Sequence, residues 1–225
     1  ERLKRLISDR RQMLAAVSHD LRTPITLLRL RTEFVENDSE REKMLATLTD
    51  MEEMVESILR FVRDDAAHEE IQFVDLVALV NAICDDISDL GEKAVYSGPD
   101  NLIYPCRPIV FKRALTNLIE NAVKFGGSAS VRLRDTGENI QISVEDEGPG
   151  MPESQLEAVF DPFYRIEPSR SRDTGGVGLG LSVARSIVDA HGGRIVLANR
   201  ETGGLQVTVE LPGSVSSDSS IRGVS

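Results

Sequence analysis

Residues 14–28, Leu-Ala-Ala-Val-Ser-His-Asp-Leu-Arg-Thr-Pro-Ile-Thr-Leu-Leu, decide the first half of the fold. Leu14, Val17, Leu21 and Leu28 continue a row begun by Leu3 and Ile7, stepping by fours and threes with Arg10 and Pro24 as its interruptions. That spacing predicts one long helix with a heptad-like apolar stripe, and such a stripe needs a partner. Asn37-Asp38-Ser39 breaks the pattern. Ser39 with Glu42 three residues on has capping-box spacing and predicts the opening of a second helix. Its own stripe runs Met44, Leu48, Met51, Val55, Ile58 and Val62, until the charged stretch Arg63–Glu70 ends it. The two helices are expected to form an antiparallel hairpin. A single hairpin buries one face of each helix, so two copies are expected to pair as a homodimeric four-helix bundle.

After residue 70 the pattern becomes mixed. Phe73-Val74 reads as strand, Leu76–Leu90 as helix, and Val95 and Leu102–Tyr104 as short extended runs. Pro108 suits the first turn of a helix running to Phe125. The alternation in Val131-Arg132-Leu133 and in Ile140–Val144, across Thr136-Gly137-Glu138, predicts a β-hairpin. Phe160–Gly180 reads as a mobile loop before a helix from about Leu181 to His191, and the strands Ile195–Ala198 and Leu205–Leu211 follow. The expected organisation is a helical hairpin over 1–66, an α/β domain over 67–213 and a disordered Ser-rich tail over 214–225.

Composition narrows the function. The 225 residues carry a formal charge of −11 and a pI near 4.8, which excludes a general nucleic-acid binder that needs clustered Lys and Arg. Cys84 and Cys106 lack the neighbours of a metal site or redox pair and read as reduced, buried fillers. No apolar run approaches the roughly 18 residues of a membrane span. The chain also begins at Glu1 within a helical pattern. A cytoplasmic fragment of a longer protein is therefore expected.

His19 lies two residues past Val17, roughly 180° from the apolar stripe, and is expected to face solvent. His68 and His191 carry no such setting. Asp20 could orient the imidazole and take up its proton, Thr23 shares roughly the same helical face with a hydroxyl able to orient water, and Pro24 should kink the helix beside them. Taken alone, Asp20 and Thr23 read better as ordinary surface residues than as functional ones.

Four later segments could hold a nucleotide without a Gly-x-x-x-x-Gly-Lys loop. Asn117, Glu120, Asn121 and Lys124 recur at helical spacing, placing oxygens suited to Mg²⁺ and a cation suited to phosphate on one face. Asp146-Glu147-Gly148-Pro149-Gly150 ends a strand with a carboxylate able to accept from an adenine amino group, beside glycines that admit a flat ring. Phe160-Asp161-Pro162-Phe163-Tyr164-Arg165 could anchor one end of a lid. Gly176-Val177-Gly178-Leu179-Gly180-Leu181 opens a helix, where backbone N–H groups favour phosphate. Each segment by itself is also compatible with an ordinary helix face, turn or loop.

In combination and in this order, His19-Asp-Leu-Arg-Thr-Pro, Asn117–Lys124, Asp146–Gly150 and the last two segments resemble the H, N, G1, F and G2 boxes of sensor histidine kinases, over residues 10–211. The resemblance implies a dimerisation and histidine-phosphotransfer hairpin followed by an α/β two-layer sandwich of Bergerat (GHKL) type. It implies that Mg·ATP phosphorylates His19, that the phosphoryl group passes to an aspartate on a response regulator receiver domain, and that the regulator is also dephosphorylated, with Thr23 as the candidate for that step. It further implies catalytic roles for His19, Asp20, Thr23 and Glu120, and Asn121 as the Mg²⁺ ligand. ATP contacts are implied at Asn117, Asn121, Lys124, Asp146, Gly148, Gly150, Phe160, Tyr164, Arg165, Gly176, Gly178, Leu179 and Gly180. A full-length protein anchored in the bacterial inner membrane is the corresponding expectation. Two alternatives remain open, an ATPase or ATP-gated clamp sharing the nucleotide fold, and a non-catalytic scaffold; the helical hairpin with His19 argues against the first, and the competent residue at every motif position against the second.

Overall fold

A computed structural model describes residues 20–62, 69–166 and 177–213. His19 and the earlier part of the first stripe, residues 63–68, Gly176 and the 214–225 tail lie outside the described residues, as do the side chains of Ile58 and Val62. The chain divides into two compact units, one comprising residues up to His68 with Glu157–Val183, the other Glu69–Leu156 with Ala184 onward.

In the first unit a helix over residues 20–32 (α1) continues as helix across Pro24 and is followed by α2, Asp38–Val62. The opening cap of α2 differs from the expected Ser39. Asn37 is the capping residue: its Oδ1 accepts from the Glu40 N–H at 3.2 Å and its carbonyl from the Arg41 N–H at 2.9 Å. Asn caps at least as well as Ser, and Asn37 comes first in the chain, so Ser39 is carried into the helix. Asp38 and Glu40 then supply the negative charge favoured in a first turn. Ile25, Leu48 and Val55 form the buried seam, while Leu21, Leu28, Met44 and Met51 of the two stripes stay 39–43% exposed. Seven residues separate Ile25 from the fully buried Thr32, so the seam of α1 runs along a row beside the stripe. Each helix thus has an apolar row outside its seam. Arg29 bridges to Glu52 at 2.7 Å across the hairpin, an exposed pair worth about 0.2–1 kcal/mol.

The second unit is built on a five-stranded sheet in the order β2-β4-β5-β7-β6, comprising β2 (Ala94–Ser97), β4 (Ala129–Asp135), β5 (Asn139–Glu145), β6 (Arg194–Asn199) and β7 (Leu205–Pro212). Among the described strands, β2 and β4 alone pair in parallel. The predicted β4–β5 hairpin forms, in a register that sets Leu133 against Ile142, which continues to Val209 and Ile195. That rung is buried. The neighbouring one, Arg134, Gln141, Glu210 and Arg194, is polar, as the period-2 alternation requires of a sheet covered on one side. Helices α3 (Leu76–Asp89) and α4 (Pro108–Gly126) pack on each other and on this sheet, giving a two-layer α/β sandwich. A separate antiparallel ribbon joins β1 (Gln72–Asp75) to β3 (Ile103–Cys106).

The helix ends reveal what the periodicity does not contain. Asp75 caps α3, its Oδ1 accepting from Val77 N–H at 2.9 Å and also from Leu102 N–H at 3.2 Å. At α4, Pro108 takes the first turn as expected, yet the N-cap residue Arg107 makes no side-chain cap bond. Glu69 supplies it from forty residues away: its Oε1 accepts from Ile109 N–H at 2.6 Å and its Oε2 from Val110 N–H at 3.1 Å. The Arg107 Nε donates to the Glu69 carbonyl at 3.0 Å. His191 accepts the Arg107 N–H on Nε2 at 3.1 Å, with Nδ1 placed 2.7 Å from the Ile187 carbonyl, so the Nδ1–H tautomer satisfies both contacts. Its ring meets Phe111 edge to face at 5.3 Å. His191 is therefore a structural residue of this helix junction.

Candidate nucleotide site

Helix α4 turns Val110, Phe111, Ala114, Leu115, Leu118, Ile119, Ala122 and Val123 inward, which leaves Asn117, Glu120, Asn121 and Lys124 along the opposite flank. Asn117 and Asn121 are half-buried, Glu120 and Lys124 exposed. The two asparagine side chains, one turn apart, make no hydrogen bond to a described residue, so both amide oxygens can meet a ligand. Lys124 Nζ lies 5.7 Å from the Phe125 ring centroid. The helix ends at Gly127, whose φ of 73° is the left-handed conformation of a glycine cap and whose N–H reaches the Val123 carbonyl at 2.7 Å.

The end of α4 abuts the loop that follows β5. A Cβ on Gly126 would lie 2.5 Å from the Asp146 Cβ, and one on Gly148 would lie 2.7 Å from the Phe125 carbonyl oxygen. Asp146 is 7% exposed. Its Oδ1 accepts from the Gly148 N–H at 2.8 Å and the Leu205 N–H at 3.1 Å, which leaves Oδ2 as the oxygen for a ligand donor. Its peptide is held too, the N–H by Leu205 O at 3.0 Å and the carbonyl by Arg200 Nη1 at 2.5 Å. The structure therefore brings Asn117, Glu120, Asn121, Lys124, Asp146, Gly148 and Gly150 into one unit. It also changes the reason for the glycines. Gly148 is required first by the chain's own carbonyl at Phe125, whatever flat ring it admits.

Sequence reasoning missed Gly126, Asn199, Arg200 and Gly204. The doublet Gly203-Gly204 was a turn signal in plain view, but its role needed coordinates: a Cβ on Gly204, at φ +89°, would fall 2.0 Å from the Asp146 carbonyl oxygen.

The remaining candidates belong to the other unit. Phe160 is buried at the end of a 3-10 turn, Ala158–Phe160. Phe163 adopts φ 69°, a strained conformation for a bulky residue, and its N–H donates to Gly178 O at 2.9 Å. Gly178 is fixed by the same contact, since a Cβ there would lie 2.7 Å from the Tyr164 carbonyl. Leu179 is buried and accepts from Val183 N–H and Ser182 Oγ, both at 2.9 Å, where Gly180 opens helix α5 (Gly180–Ala190). Tyr164 is half-buried and Arg165 exposed. In α1, Asp20 and Thr23 are exposed and three residues apart, on one face.

Comparison with known proteins places these elements in context. Residues 1–67 match the His Kinase A (phospho-acceptor) domain, and residues 106–215 match the family described as histidine kinase-, DNA gyrase B-, and HSP90-like ATPase. The sensor histidine kinase GtrS of Pseudomonas aeruginosa is 41% identical over 212 residues, covering 94% of this chain and 44% of its own length. The chain spans less than half the length of the curated relatives it matches first. Among solved structures, the catalytic domain of histidine kinase ThkA superposes with a TM-score of 0.55 at 28% identity, covering 64% of this chain and 95% of that domain. ThkA in complex with response regulator protein TrrA shares the fold with a TM-score of 0.65 at 24% identity, covering 92% of this chain and 63% of ThkA. No helix of the described residues is long and apolar enough to cross a membrane.

Proposed function

The chain belongs to the sensor histidine kinases of two-component systems, and from that premise we propose that it transfers the γ-phosphoryl group of Mg·ATP to its own His19 and then to an aspartate of a response regulator. The observation that carries this reading is the convergence of a buried, pre-oriented Asp146 with the polar flank of α4. Two backbone donors fix one carboxylate oxygen, so the other presents a single acceptor to the adenine amino group without having to reorganise. Asn117 and Asn121 offer neutral oxygens where phosphates arrive, and Lys124, one turn beyond Asn121, and Arg165 offset phosphate charge. Among the described residues no cluster of three or more acidic, His or Cys side chains could form a metal cage. Asn121 would hold Mg²⁺ through its neutral amide oxygen, a hard donor suited to that ion, with Glu120 nearby. When bound, the ion neutralises charge on the phosphates.

The His19 imidazole is the nucleophile: a ring nitrogen bonds to the γ-phosphorus as the bond to the leaving oxygen of ADP breaks. Asp20 orients the ring and takes up the proton that the other ring nitrogen loses. Thr23 orients water for dephosphorylation of the regulator. Residues 1–66 act as the dimerisation and phosphotransfer domain, 67–213 as the ATP-binding domain and 214–225 as a tail. The apolar rows left exposed by Leu21, Leu28, Met44 and Met51 support a homodimer, because burying them in a four-helix bundle removes that surface from water. We place this part of the protein in the cytoplasm, with the whole protein anchored in the membrane and a receiver domain as its partner. Incubation with γ-labelled ATP and Mg²⁺ should give acid-labile, base-stable label on the wild-type chain and none on His19→Ala, with nucleotide binding retained by both. Undiminished labelling of His19→Ala would remove His19 from the mechanism.

A further inference from the structure

The loop between Asp146 and Gln155 has few bonds of its own. Pro149 and Pro152 lack donors, Gly148 N–H turns back to Asp146, and Gln155 N–H closes on Pro152 O at 2.9 Å. Its middle is held instead from the end of β6, forty-eight residues later. Asn199 grips both polar groups of Met151: Oδ1 accepts the Met151 N–H at 2.9 Å and Nδ2 donates to the Met151 carbonyl at 2.8 Å. The paired bonds imitate one rung of a β-ladder and fix the direction of the loop as well as its distance. Arg200 adds a second hold through the Asp146 carbonyl, and its Nη2 lies 3.5 Å from Glu145 Oε2.

Gly150 is shaped around this grip. It sits at φ 69°, and a Cβ there would lie 2.6 Å from the Asn199 Oδ1. Gly150, Met151, Pro152, Asn199, Gly203 and Gly204 border an open groove of about 320 Å³ at this junction.

We propose that Asn199 is a positioning residue for the nucleotide: by clamping the Met151 peptide it holds Gly148 and Gly150 in the conformation that receives ATP, and so sets nucleotide affinity without touching the reacting atoms. This inference rests on the reading of Asp146–Gly150 as the nucleotide loop. Loss of a residue of this kind raises KM and leaves kcat, because it acts on ground state and transition state alike.

The test uses the full chain, with titration of the fluorescent analogue TNP-ATP, initial rates of autophosphorylation and a thermal melt for each variant. Asn199→Ala loses both bonds and should raise Kd and KM about tenfold with kcat within about twofold, since two hydrogen bonds are removed. Asn199→Asp keeps the acceptor for the Met151 N–H but sets a carboxylate oxygen against the Met151 carbonyl in place of the donor; it serves if the alanine variant folds poorly, and should raise Kd by about threefold or more. Gly150→Ala should cost more affinity in the wild-type background than in Asn199→Ala, where the clashing oxygen is gone. Unchanged Kd in folded Asn199→Ala and Asn199→Asp, a defect confined to kcat, or strict additivity with Gly150→Ala would each overturn the proposal while leaving the nucleotide reading standing. A wild-type chain that does not bind TNP-ATP would overturn both.

Discussion

Replacing Glu69 by Ala is the sharpest test of how the α/β unit is held together. The carboxylate accepts two backbone N–H groups at 2.6 and 3.1 Å in the first turn of α4, where Arg107 offers no side-chain cap. Losing a cap costs about 0.5–2 kcal/mol, and losing negative charge at a helix N-terminus about 0.3–1 kcal/mol more. The sum, about 1–3 kcal/mol, should lower the melting midpoint of this unit by roughly 2–12 °C in a chain of this size. Glu69→Gln keeps one acceptor but turns its NH₂ toward the second donor, so its midpoint should fall between those of the wild type and the alanine variant. Circular dichroism melts report the midpoint, and hydrogen exchange at the Ile109 and Val110 amides reports the cap itself. High salt should narrow the gap, because part of the effect is charge on a partly exposed dipole. A midpoint of Glu69→Ala within about 1 °C of wild type, with both amides still protected, would refute the assignment of the cap.

Gly204→Ala should lose nucleotide binding by roughly a hundredfold, the equivalent of about 3 kcal/mol from a left-handed φ combined with a backbone clash. Gly127→Ala, at φ +73° with open space around it, carries only the backbone cost of about 1 kcal/mol; equal affinities for the two variants in a TNP-ATP titration would argue against the packing at Asp146. Burial pushes the Cys84 and Cys106 thiols up from 9.0 to about 11, with Asp85 and Glu69 respectively as the second cause. Both should resist a thiol-reactive disulfide reagent at pH 8 until the chain is unfolded. Because the folded state holds the proton more tightly, their contribution is intact below pH 9 and should be lost as pH rises toward 11, which urea titrations across that range would detect.

Local patterns were legible in the sequence wherever one element's own periodicity fixed the answer. The turns of four and three in α2 gave Leu48 and Val55 a common face, alternation gave the β4–β5 hairpin, and Pro108 marked the start of α4. The spacing Asn117, Glu120, Asn121 and Lys124 was readable as a polar flank for the same reason, since 3.6 residues per turn is a property of the helix itself. Ser39 failed as a cap because Asn37, an equally good capping residue, sits two positions earlier, and local chemistry alone does not choose between neighbours of similar strength.

By itself, then, the sequence determined which segments are helix or strand, which faces are apolar, and which residues have chemistry suited to a phosphoryl acceptor and a nucleotide. Tertiary structure alone decided the partners across long stretches of chain: Glu69 at the start of α4, Asn199 on Met151, Arg200 on Asp146, and β2 beside β4. The physical reason is that a helix or strand repeats a local geometry that its own residues encode. A capping carboxylate or an amide clamp is an ordinary polar side chain until the fold delivers an unsatisfied backbone group to it.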